Sequence, residues 1–418
     1  MKKYSILSLI KESIKYHEGW QNALPHTPLK NHYDIIIIGG GGHGLATAYY
    51  LAKKHKLKNI AVIEKSWLGG GNTARNTTII RSNYTMDESA KLYDLSVRLF
   101  EGLSQELNYN IMFSQRGLLH IAHNVHDMQE IGRRGHAIWL NGIDSEYLTP
   151  KQVGKMVPTL NLNGRYPVMG ALLQRRGGTA RHDAVAWGFA RAALALGVDI
   201  IQHAEVKKFI IKNKKLLGVE VAQGKEIKKV MAGRVGVVTA GHSGVMAQMA
   251  GFRLPIESFP LQALVSEPIK PIIDCVIMSN AVHVYVSQSD KGEVVVGAGS
   301  DPYISYSQRG AFNAIEHIMS PLVELFPFIS RLKMLRQWGG IVDVTVDRSP
   351  IIGKTPIDNL YFNCGWGTGG FKATPGSGYV FASTLAGKDV DPIAKPFSIE
   401  RFYNGNLVDE GAAAAVAH

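Results

Sequence analysis

The chain has 418 residues, a formal net charge of +12 and 45% hydrophobic residues. This composition excludes a disordered or fibrous protein, and the length suffices for two domains that fold without disulfides or structural metals. Cys275 and Cys364 lie far apart and lack metal-ligand spacing, so we predict neither a disulfide framework nor a metal site, and we expect a reducing compartment. Lysines and arginines are spread without a basic block, which argues against nucleic-acid binding and favours anionic cofactors and partner subunits as the reason for the charge.

The first 30 residues predict an amphipathic arm. The apolar run Tyr4–Ile10 stops at Lys11, and no small-residue cleavage site of a signal peptide follows it. Nowhere do about 18 uncharged apolar residues run together, as a membrane-spanning helix requires. We therefore expect a soluble, cytoplasmic protein.

A βαβ unit begins at Tyr33 and is typical of dinucleotide-binding folds. The pattern predicts a buried strand at Asp34–Ile38, a helix at Leu45–Lys53 and a second buried strand at Asn59–Ile63. The carboxyl end of the first strand and the start of the helix then form one edge, where a nucleotide would bind.

The turn between this strand and helix carries a phosphate-binding motif. Gly39, Gly41 and Gly44 form GxGxxG, in which the glycines allow a tight turn, close approach of a phosphate and close packing of helix and strand. The helix N-terminus would offer unpaired amides to the pyrophosphate. Glu64, 20 residues after Gly44, ends the second strand and is placed to bind the ribose hydroxyls of an adenosine.

The later chain predicts an inserted domain and a return to the nucleotide-binding sheet. Asp87–Gly142 is helix-rich, and Leu264–Gly299 contains β-branched alternation such as Val282–Val286. Short apolar strands are expected at Val235–Thr239 and Leu360–Asn363, each with a glycine two residues further on. The inserted segments would cover the substrate.

A second glycine-rich turn favours FAD over NAD. Cys364–Lys372 follows the last predicted strand, and a helix is expected from about Gly376 to Leu385. This arrangement suits a cofactor held at both ends, with a helix N-terminus near the flavin edge where negative charge develops on reduction.

We therefore predict an α/β fold in which an FAD-binding Rossmann-like domain of the glutathione-reductase type is interleaved with an α+β substrate domain. The predicted boundaries are an arm at 1–30, an FAD-binding domain at 31–85, 175–260 and 335–395, a substrate and interface domain at 86–174 and 261–334, and a C-terminal tail at 396–418.

The chain resembles the FAD-dependent amine oxidases of the D-amino acid oxidase and sarcosine oxidase family, and within it the beta subunits of heterotetrameric sarcosine oxidases. The resemblance extends over nearly the whole chain after Tyr33. The matching stretches are Gly39–Leu51, Gly69–Tyr84, Phe113–Gly117, Arg181–Asp183, Trp338–Asp343 and Cys364–Gly376.

The resemblance implies oxidative demethylation of sarcosine to glycine at a non-covalent FAD. Electrons would pass to a covalent FMN and to dioxygen, giving hydrogen peroxide, and the methylene group would go to tetrahydrofolate. NAD and tetrahydrofolate are expected on a partner alpha subunit, with gamma and delta subunits completing the assembly. Two alternatives are an FAD-dependent dehydrogenase subunit for another amine, such as dimethylglycine or proline, and a structural subunit with a vestigial site.

The resemblance also implies the site residues. Arg81 and Lys372 match two cations that hold the substrate carboxylate, although Lys372 would alternatively serve the flavins. The implied FAD-binding residues lie in the two glycine turns, at the end of the second strand, in the loop after it and at one strand position whose backbone receives the adenine: Gly39, Gly41, Gly42, His43, Gly44, Glu64, Asn72, Thr73, Arg75, Asn76, Val206, Gly367, Gly369, Gly370 and Lys372.

A separate segment is implied to hold FMN. His182 matches the histidine that is linked to FMN in this family, and Arg181 beside it suits the phosphate. Asp183 is expected to N-cap a helix that ends at Gly197.

One position departs from the monomeric members of the family. They use a lysine above the flavin to promote reaction with dioxygen, and the matching residue here is Val295, unless the register slips and Lys291 takes that role. We therefore expect the FAD to react slowly with dioxygen.

Overall fold

The computed structural model describes residues 5–19, 23–387 and 391–408. Residues 1–4 and 20–22 of the predicted arm, 388–390 of the predicted FAD-binding domain and 409–418 of the predicted tail lie outside the described residues. The helices are α1 (Ile6–Ile14), α2 (Gly42–Lys53), α3 (Asp87–Leu107), α4 (Val125–Leu140), α5 (Pro150–Met156), α6 (His182–Ala195), α7 (Ser243–Met249), α8 (Phe312–Leu325), α9 (Thr374–Leu385) and α10 (Arg401–Asn404).

The strands form two large sheets and one short pair. They are β1 (His32–Ile38), β2 (Ile60–Ile63), β3 (Ile79–Ile80), β4 (Leu118–Ala122), β5 (Glu146–Leu148), β6 (Gly170–Gln174), β7 (Gly178–Thr179), β8 (Asp199–Ile201), β9 (Ala204–Lys212), β10 (Lys215–Gln223), β11 (Glu226–Val237), β12 (Ile256–Pro268), β13 (Val276–Ser279), β14 (Val284–Gln288), β15 (Glu293–Ser300), β16 (Met334–Thr345), β17 (Ile351–Lys354) and β18 (Leu360–Cys364).

The first sheet has the strand order β17-β18-β11-β1-β2-β8, with β10 and β9 extending from β11. Strands β18, β11, β1, β2 and β8 are parallel neighbours. Ile35 and Ile37 of β1 pack on the side of α2, α6 and α9, whereas Ile36 and Ile38 pack on the side of β9, β10 and α7. Both faces are therefore covered, which explains the uninterrupted run of isoleucines.

Helices α2 and α9 bring the two predicted glycine turns together. A Cβ atom on Gly378 of α9 would lie 2.4 Å from the Cβ atom of Ala46 in α2, so these two helices pack closely because their contact residues are small. The amino ends of both helices lie at the carboxyl edge of the first sheet. The C-terminal turn therefore adjoins the N-terminal one, although more than 300 residues separate them in sequence.

The second sheet has the order β16-β12-β15-β14-β13-β4-β6-β5 and is antiparallel except between β13 and β4. A core that includes side chains of α5 and α8 covers one of its faces. The opposite face, with Leu261, Ala263, Met278 and Tyr285, is turned to the cavity described below. The sheet draws its strands from residues 118–174 and 256–345.

The predicted α/β class and the order of the βαβ elements are confirmed. Helix α2 begins at Gly42 rather than Leu45, since the last glycines of the turn already have helical backbone. The strand predicted at Val235–Thr239 ends at Val237. Of the alternating residues Val282–Val286, those from Val284 onward lie in β14, which follows a turn in which His283 has φ +50°.

Helix α1 has an apolar stripe but no buried residue. Within the described parts of the chain, no helix combines the length and the apolar character needed to cross a membrane.

Candidate active site

A cavity of about 600 Å³ lies between the first sheet and the inner face of the second. This volume falls within the range of small-molecule sites, roughly 300 to 1,000 Å³. Its lining includes the carboxyl ends of β1, β2 and β11, the loop after β2, the middle of β16 and the loop before α9. The cavity thus reaches from the nucleotide motif to both cations predicted to bind a carboxylate.

Two glycines of the N-terminal turn have no room for a side chain. Gly39 has φ +115°, and a Cβ atom there would lie 2.3 Å from the carbonyl oxygen of Val238. A Cβ atom on Gly44 would lie 2.0 Å from the carbonyl oxygen of Gly39, so Gly44 secures helix packing and does not line the cavity. Gly41 and Gly42 do line it, and the Gly42 amide donates to Thr73 Oγ1 at 3.0 Å.

Glu64 is held in one orientation at the end of β2. Its Oε2 accepts a bond from the Gly40 amide at 2.8 Å, and its Oε1 accepts from the Ser66 amide at 2.8 Å and from Ser66 Oγ at 3.0 Å. A carboxylate oxygen has further lone pairs, so the side chain can still accept a hydroxyl from the cavity that it lines.

The loop after β2 is fastened to the second sheet. Asn72 Nδ2 donates to the Ile341 carbonyl, and Trp338 Nε1 donates to the Arg75 carbonyl at 2.7 Å. Arg75 also donates to the Gly71 carbonyl at 2.8 Å, and Asn76 donates to the Thr73 carbonyl. The loop residues predicted to bind FAD line the cavity. In the structure the side chains of Asn72, Arg75 and Asn76 form hydrogen bonds within the protein, which order the loop.

The C-terminal glycine loop forms two short 3-10 turns, Gly367–Gly369 and Phe371–Ala373. Gly367 and Gly370 line the cavity. Gly369 does not, since a Cβ atom there would lie 2.0 Å from the hydroxyl oxygen of Tyr93 on α3. Asp343 Oδ2 accepts a bond from the Gly365 amide at 2.5 Å and so fixes the start of the loop.

Burial raises the pKa of Asp343 to about 6, although the amides of Gly365 and Trp366 oppose this by donating to the carboxylate. The side chain is only 2% exposed and lines the cavity. Near neutral pH the structure therefore holds a buried negative charge beside this loop.

Arg81 and Lys372 converge on the cavity from opposite ends of the sequence. Arg81 donates to Asn83 Oδ1 at 2.7 Å and lies over the Tyr84 ring, 4.4 Å from its centroid. Lys372 Nζ donates to the Thr368 carbonyl at 2.9 Å. Burial, and secondarily the charge of Arg81, lowers the pKa of Lys372 well below its ordinary value. A bound anion would be attracted by Arg81 and Lys372, and it would raise the pKa of Lys372 part of the way back to its ordinary value.

Arg181 and His182 do not line this cavity. Arg181 is the N-cap of α6 and pairs with Asp183, whereas His182 is the first residue of the helix. The prediction that Asp183 is the N-cap is therefore wrong: its Oδ1 accepts from the adjacent Ala184 amide, and no side chain caps the helix. Burial, opposed by Asp183, lowers the pKa of His182. Gly197, with φ +87°, follows the helix end as predicted.

Two further predicted positions lie on strands. Val206 of β9 lines the cavity. Val295 of β15 is paired with Val265 and Ser287 and does not line it. Lys291 is exposed in the turn before β15.

The cavity also has lining residues that sequence patterns did not single out. Two of these residues are His242 and Tyr306, whose ring centroids are 5.1 Å apart. Two others are Asp343 of β16 and Trp366 within the C-terminal loop. His242 follows a strand and a glycine, which is a weak signal, whereas Tyr306 lies in an irregular loop without any pattern.

Comparison with known proteins places these features in context. The family model described as FAD dependent oxidoreductase matches residues 34–384. Sarcosine oxidase subunit beta of Rhodobacter capsulatus is 55% identical, with all of both chains covered. The protein of the same name from Arthrobacter sp. is 56% identical over 96% of this chain and 97% of its own length.

Solved structures give the same picture of the fold. L-proline dehydrogenase from P. horikoshii has a TM-score of 0.83 and 26% identity, covering 91% of this chain and 100% of that one. Glycine oxidase from Geobacillus kaustophilus has a TM-score of 0.79 and 21% identity, covering 89% and 99%, and supports the fold alone.

Proposed function

The chain belongs to the FAD dependent oxidoreductase family, and from that premise we propose that it is the flavin-binding beta subunit of a sarcosine oxidase. It is an amine oxidoreductase, and its proposed reaction is oxidative demethylation of sarcosine to glycine at a non-covalent FAD. The single observation that carries the choice of substrate class is the buried pair Arg81 and Lys372 in the lining of a dinucleotide cavity.

The residues present fit FAD. Gly39 allows the tight turn against Val238, Gly41 and Gly42 present backbone without side chains to the cavity, and the amino end of α2 favours the negative charge of a pyrophosphate. Glu64 is oriented for a ribose. Asn72 and Lys372 would lie along the remaining length of the bound FAD. When bound, the flavin supplies the hydride acceptor for the amine.

Arg81 and Lys372 support a substrate that is both an amine and a carboxylate. Each cation attracts a carboxylate, and Tyr84 below the guanidinium restricts where Arg81 can point. The same two charges disfavour an ammonium group nearby, so they favour the neutral amine, whose nitrogen lone pair assists loss of hydride from the adjacent carbon. The site would therefore orient the substrate and select its reactive protonation state.

We propose further that His182 carries a covalent FMN, with Arg181 near the phosphate. Support comes from burial, which lowers the pKa of His182 and keeps a ring nitrogen lone pair available, and from the position of His182 at a helix amino end. Electrons would pass to this FMN and then to dioxygen, giving hydrogen peroxide. The order from FAD to FMN to dioxygen is proposed because the resemblance aligns the uncharged Val295 with the lysine that promotes reaction with dioxygen in the monomeric members. Val295 itself does not line the cavity.

The name shared by the similar proteins contains the word subunit, which supports a multi-subunit enzyme. We propose alpha, gamma and delta partners, with NAD and tetrahydrofolate bound by alpha and the methylene group passed to tetrahydrofolate. A cytoplasmic location is proposed because both cysteines are free and buried. We also propose two interleaved domains, one built around each large sheet, with the cavity between them. Strand β16, which falls almost wholly within the predicted FAD-binding segment 335–395, belongs to the second sheet.

A second candidate is a dehydrogenase for another secondary or tertiary amine, such as proline or dimethylglycine. It is favoured by the similarity to L-proline dehydrogenase. Such an enzyme would use the same two cations for the carboxylate but a different electron acceptor.

The test is reduction of the flavin in the purified multi-subunit complex. Sarcosine, dimethylglycine and proline are each added without air, and bleaching of the flavin absorption is followed. We expect sarcosine to bleach it fastest and air to restore it with formation of hydrogen peroxide. Faster bleaching by proline or dimethylglycine, or no recovery in air, would favour the second candidate. A colourless complex without flavin would contradict both.

A further inference from the structure

Both ring nitrogens of His43 are bonded to protein. Nε2 lies 2.7 Å from the carbonyl oxygen of Gly370. A carbonyl only accepts, so Nε2 carries the hydrogen and Nδ1 must be the acceptor. Nδ1 lies 2.5 Å from Ser377 Oγ, which therefore donates to it. Neither nitrogen is left to bind a cofactor, although the ring lines the cavity.

The hydrogen bonds continue beyond Ser377 in one direction. Trp366 Nε1, which can only donate, lies 2.7 Å from Asn363 Oδ1. This fixes the Asn363 amide so that its Nδ2 donates to Ser377 Oγ at 3.3 Å. The complete chain runs from Trp366 through Asn363 and Ser377 to His43 and ends on the Gly370 carbonyl.

This chain of bonds joins the two glycine turns. His43 belongs to the N-terminal turn, whereas the other members come from the end of β18, the C-terminal loop and α9. Asn363 and Ser377 are almost fully buried. The His43 and Trp366 rings are also in contact, with centroids 4.9 Å apart. Buried networks with every member satisfied hold a single geometry.

The Gly370 carbonyl is the point at which this network meets the substrate side of the cavity. It also accepts a bond from the Ala373 amide at 3.0 Å and so begins the 3-10 turn that carries Lys372. A change in the direction of this carbonyl would rotate the turn and move the ammonium group of Lys372.

We propose that His43 is a positioning residue: in its neutral Nε2–H form it fixes the Gly370 carbonyl, and thereby Lys372, while its Nδ1 orders Trp366 through Ser377 and Asn363. Burial supports the neutral form, because it lowers the pKa of His43 to about 4. The role of Lys372 in binding the substrate rests on the proposed function. The hydrogen-bond assignment does not.

Two conservative variants separate the two bonds of the ring. His43→Gln places an amide donor near the Nε2 position and retains the bond to Gly370, but it lacks an acceptor for Ser377. His43→Asn places an oxygen near the Nδ1 position and retains the bond from Ser377, but it lacks a donor for Gly370. His43→Ala removes both bonds, and His136→Asn, on the exposed face of α4, is the matched control.

The kinetic experiment uses the multi-subunit complex with its flavins. We expect His43→Asn and His43→Ala to raise KM for sarcosine about three- to tenfold, the loss expected for one hydrogen bond, with FAD content unchanged. His43→Gln and the His136→Asn control should retain the KM of the wild type. An unchanged KM in both His43→Asn and His43→Ala would overturn the link to Lys372.

The spectroscopic experiment needs no substrate and no activity. In the full-length chain labelled with ¹⁵N in histidine and tryptophan, we expect His43 to show the Nε2–H tautomer at neutral pH. The indole N–H signal of Trp366, assigned with Trp366→Phe, should move in Ser377→Ala, which keeps the His43 ring beside the indole, and in His43→Gln, which removes the acceptor for Ser377. An Nδ1–H tautomer, or a Trp366 signal unaffected by both Ser377→Ala and His43→Gln, would overturn the network.

The two experiments also separate this proposal from the proposed function. If the wild-type complex does not oxidise sarcosine but His43 has the expected tautomer, the substrate assignment fails and the network stands. If sarcosine is oxidised but the tautomer of His43 is Nδ1–H, the hydrogen-bond network fails and the substrate assignment stands.

Discussion

Asp343 gives the protein a pH dependence that can be worked out from its surroundings. Burial raises its pKa in the folded chain to about 6, from 3.8 in an exposed carboxyl group. The folded state therefore binds a proton more tightly than the unfolded state, and the stability that this provides is present below about pH 4 and lost as the pH rises through about 6. The difference corresponds to about 3 kcal/mol, at 1.36 kcal/mol for each pH unit.

The perturbation is Asp343→Asn, which keeps one oxygen for the Gly365 amide and cannot titrate. The variant also changes the free energy of unfolding by an amount that does not depend on pH, because the amide nitrogen of Asn replaces a carboxylate oxygen near the Trp366 backbone amide. The informative quantity is therefore the difference in unfolding free energy between variant and wild type as a function of pH. We expect this difference to shift by about 2.4 kcal/mol in favour of the variant between pH 4 and pH 7, because the unfolded chain is already partly ionised at pH 4.

Urea unfolding at constant ionic strength, followed by tryptophan fluorescence at several pH values, measures this difference. Asp144→Asn serves as a control for a carboxylate outside the cavity lining. A difference between Asp343→Asn and wild type that stays flat across this pH range would refute the reasoning, since it would mean that burial does not hold the proton on Asp343.

Four further predictions concern the cofactors and the substrate. Glu64→Gln should weaken FAD binding by about 1.5 to 3 kcal/mol, measured by equilibrium titration of the flavin-free chain, and unchanged affinity would exclude Glu64 as the ribose ligand. Arg81→Ala should raise KM for sarcosine steeply through loss of a carboxylate contact, whereas an exposed Arg133→Ala should not; equal KM values for the two would remove Arg81 from the site. His182→Ala should keep FAD but leave no flavin in the acid-precipitated pellet, and mass spectrometry should find FMN on the wild-type peptide; an unmodified peptide from active enzyme would contradict this. In the same variant, reduced FAD should react slowly with dioxygen because Val295 supplies no cation, and reoxidation as fast as wild-type turnover would contradict the division of labour between two flavins.

The sequence alone determined those features that depend on short stretches of chain. The strand of isoleucines, the glycine turn and Glu64 lie within about 30 residues, and their types follow from local backbone requirements and burial on both faces. The α/β class and the nucleotide edge of the first sheet were therefore predictable. The boundary error at the start of α2 arose where glycines adopt helical backbone that side-chain patterns do not specify.

Tertiary structure alone decided which distant groups meet. Arg81 and Lys372 are 291 residues apart, and their convergence depends on how α9 packs against α2 and how the loop after β2 is fastened to β16. The resemblance to a family suggested the pair, but no local pattern did. The hydrogen bonds of His43 illustrate the same limit, because only the fold places a carbonyl and a hydroxyl against its two ring nitrogens. Such contacts follow from the packing of whole sheets and helices, which is set by many weak interactions between residues remote in sequence.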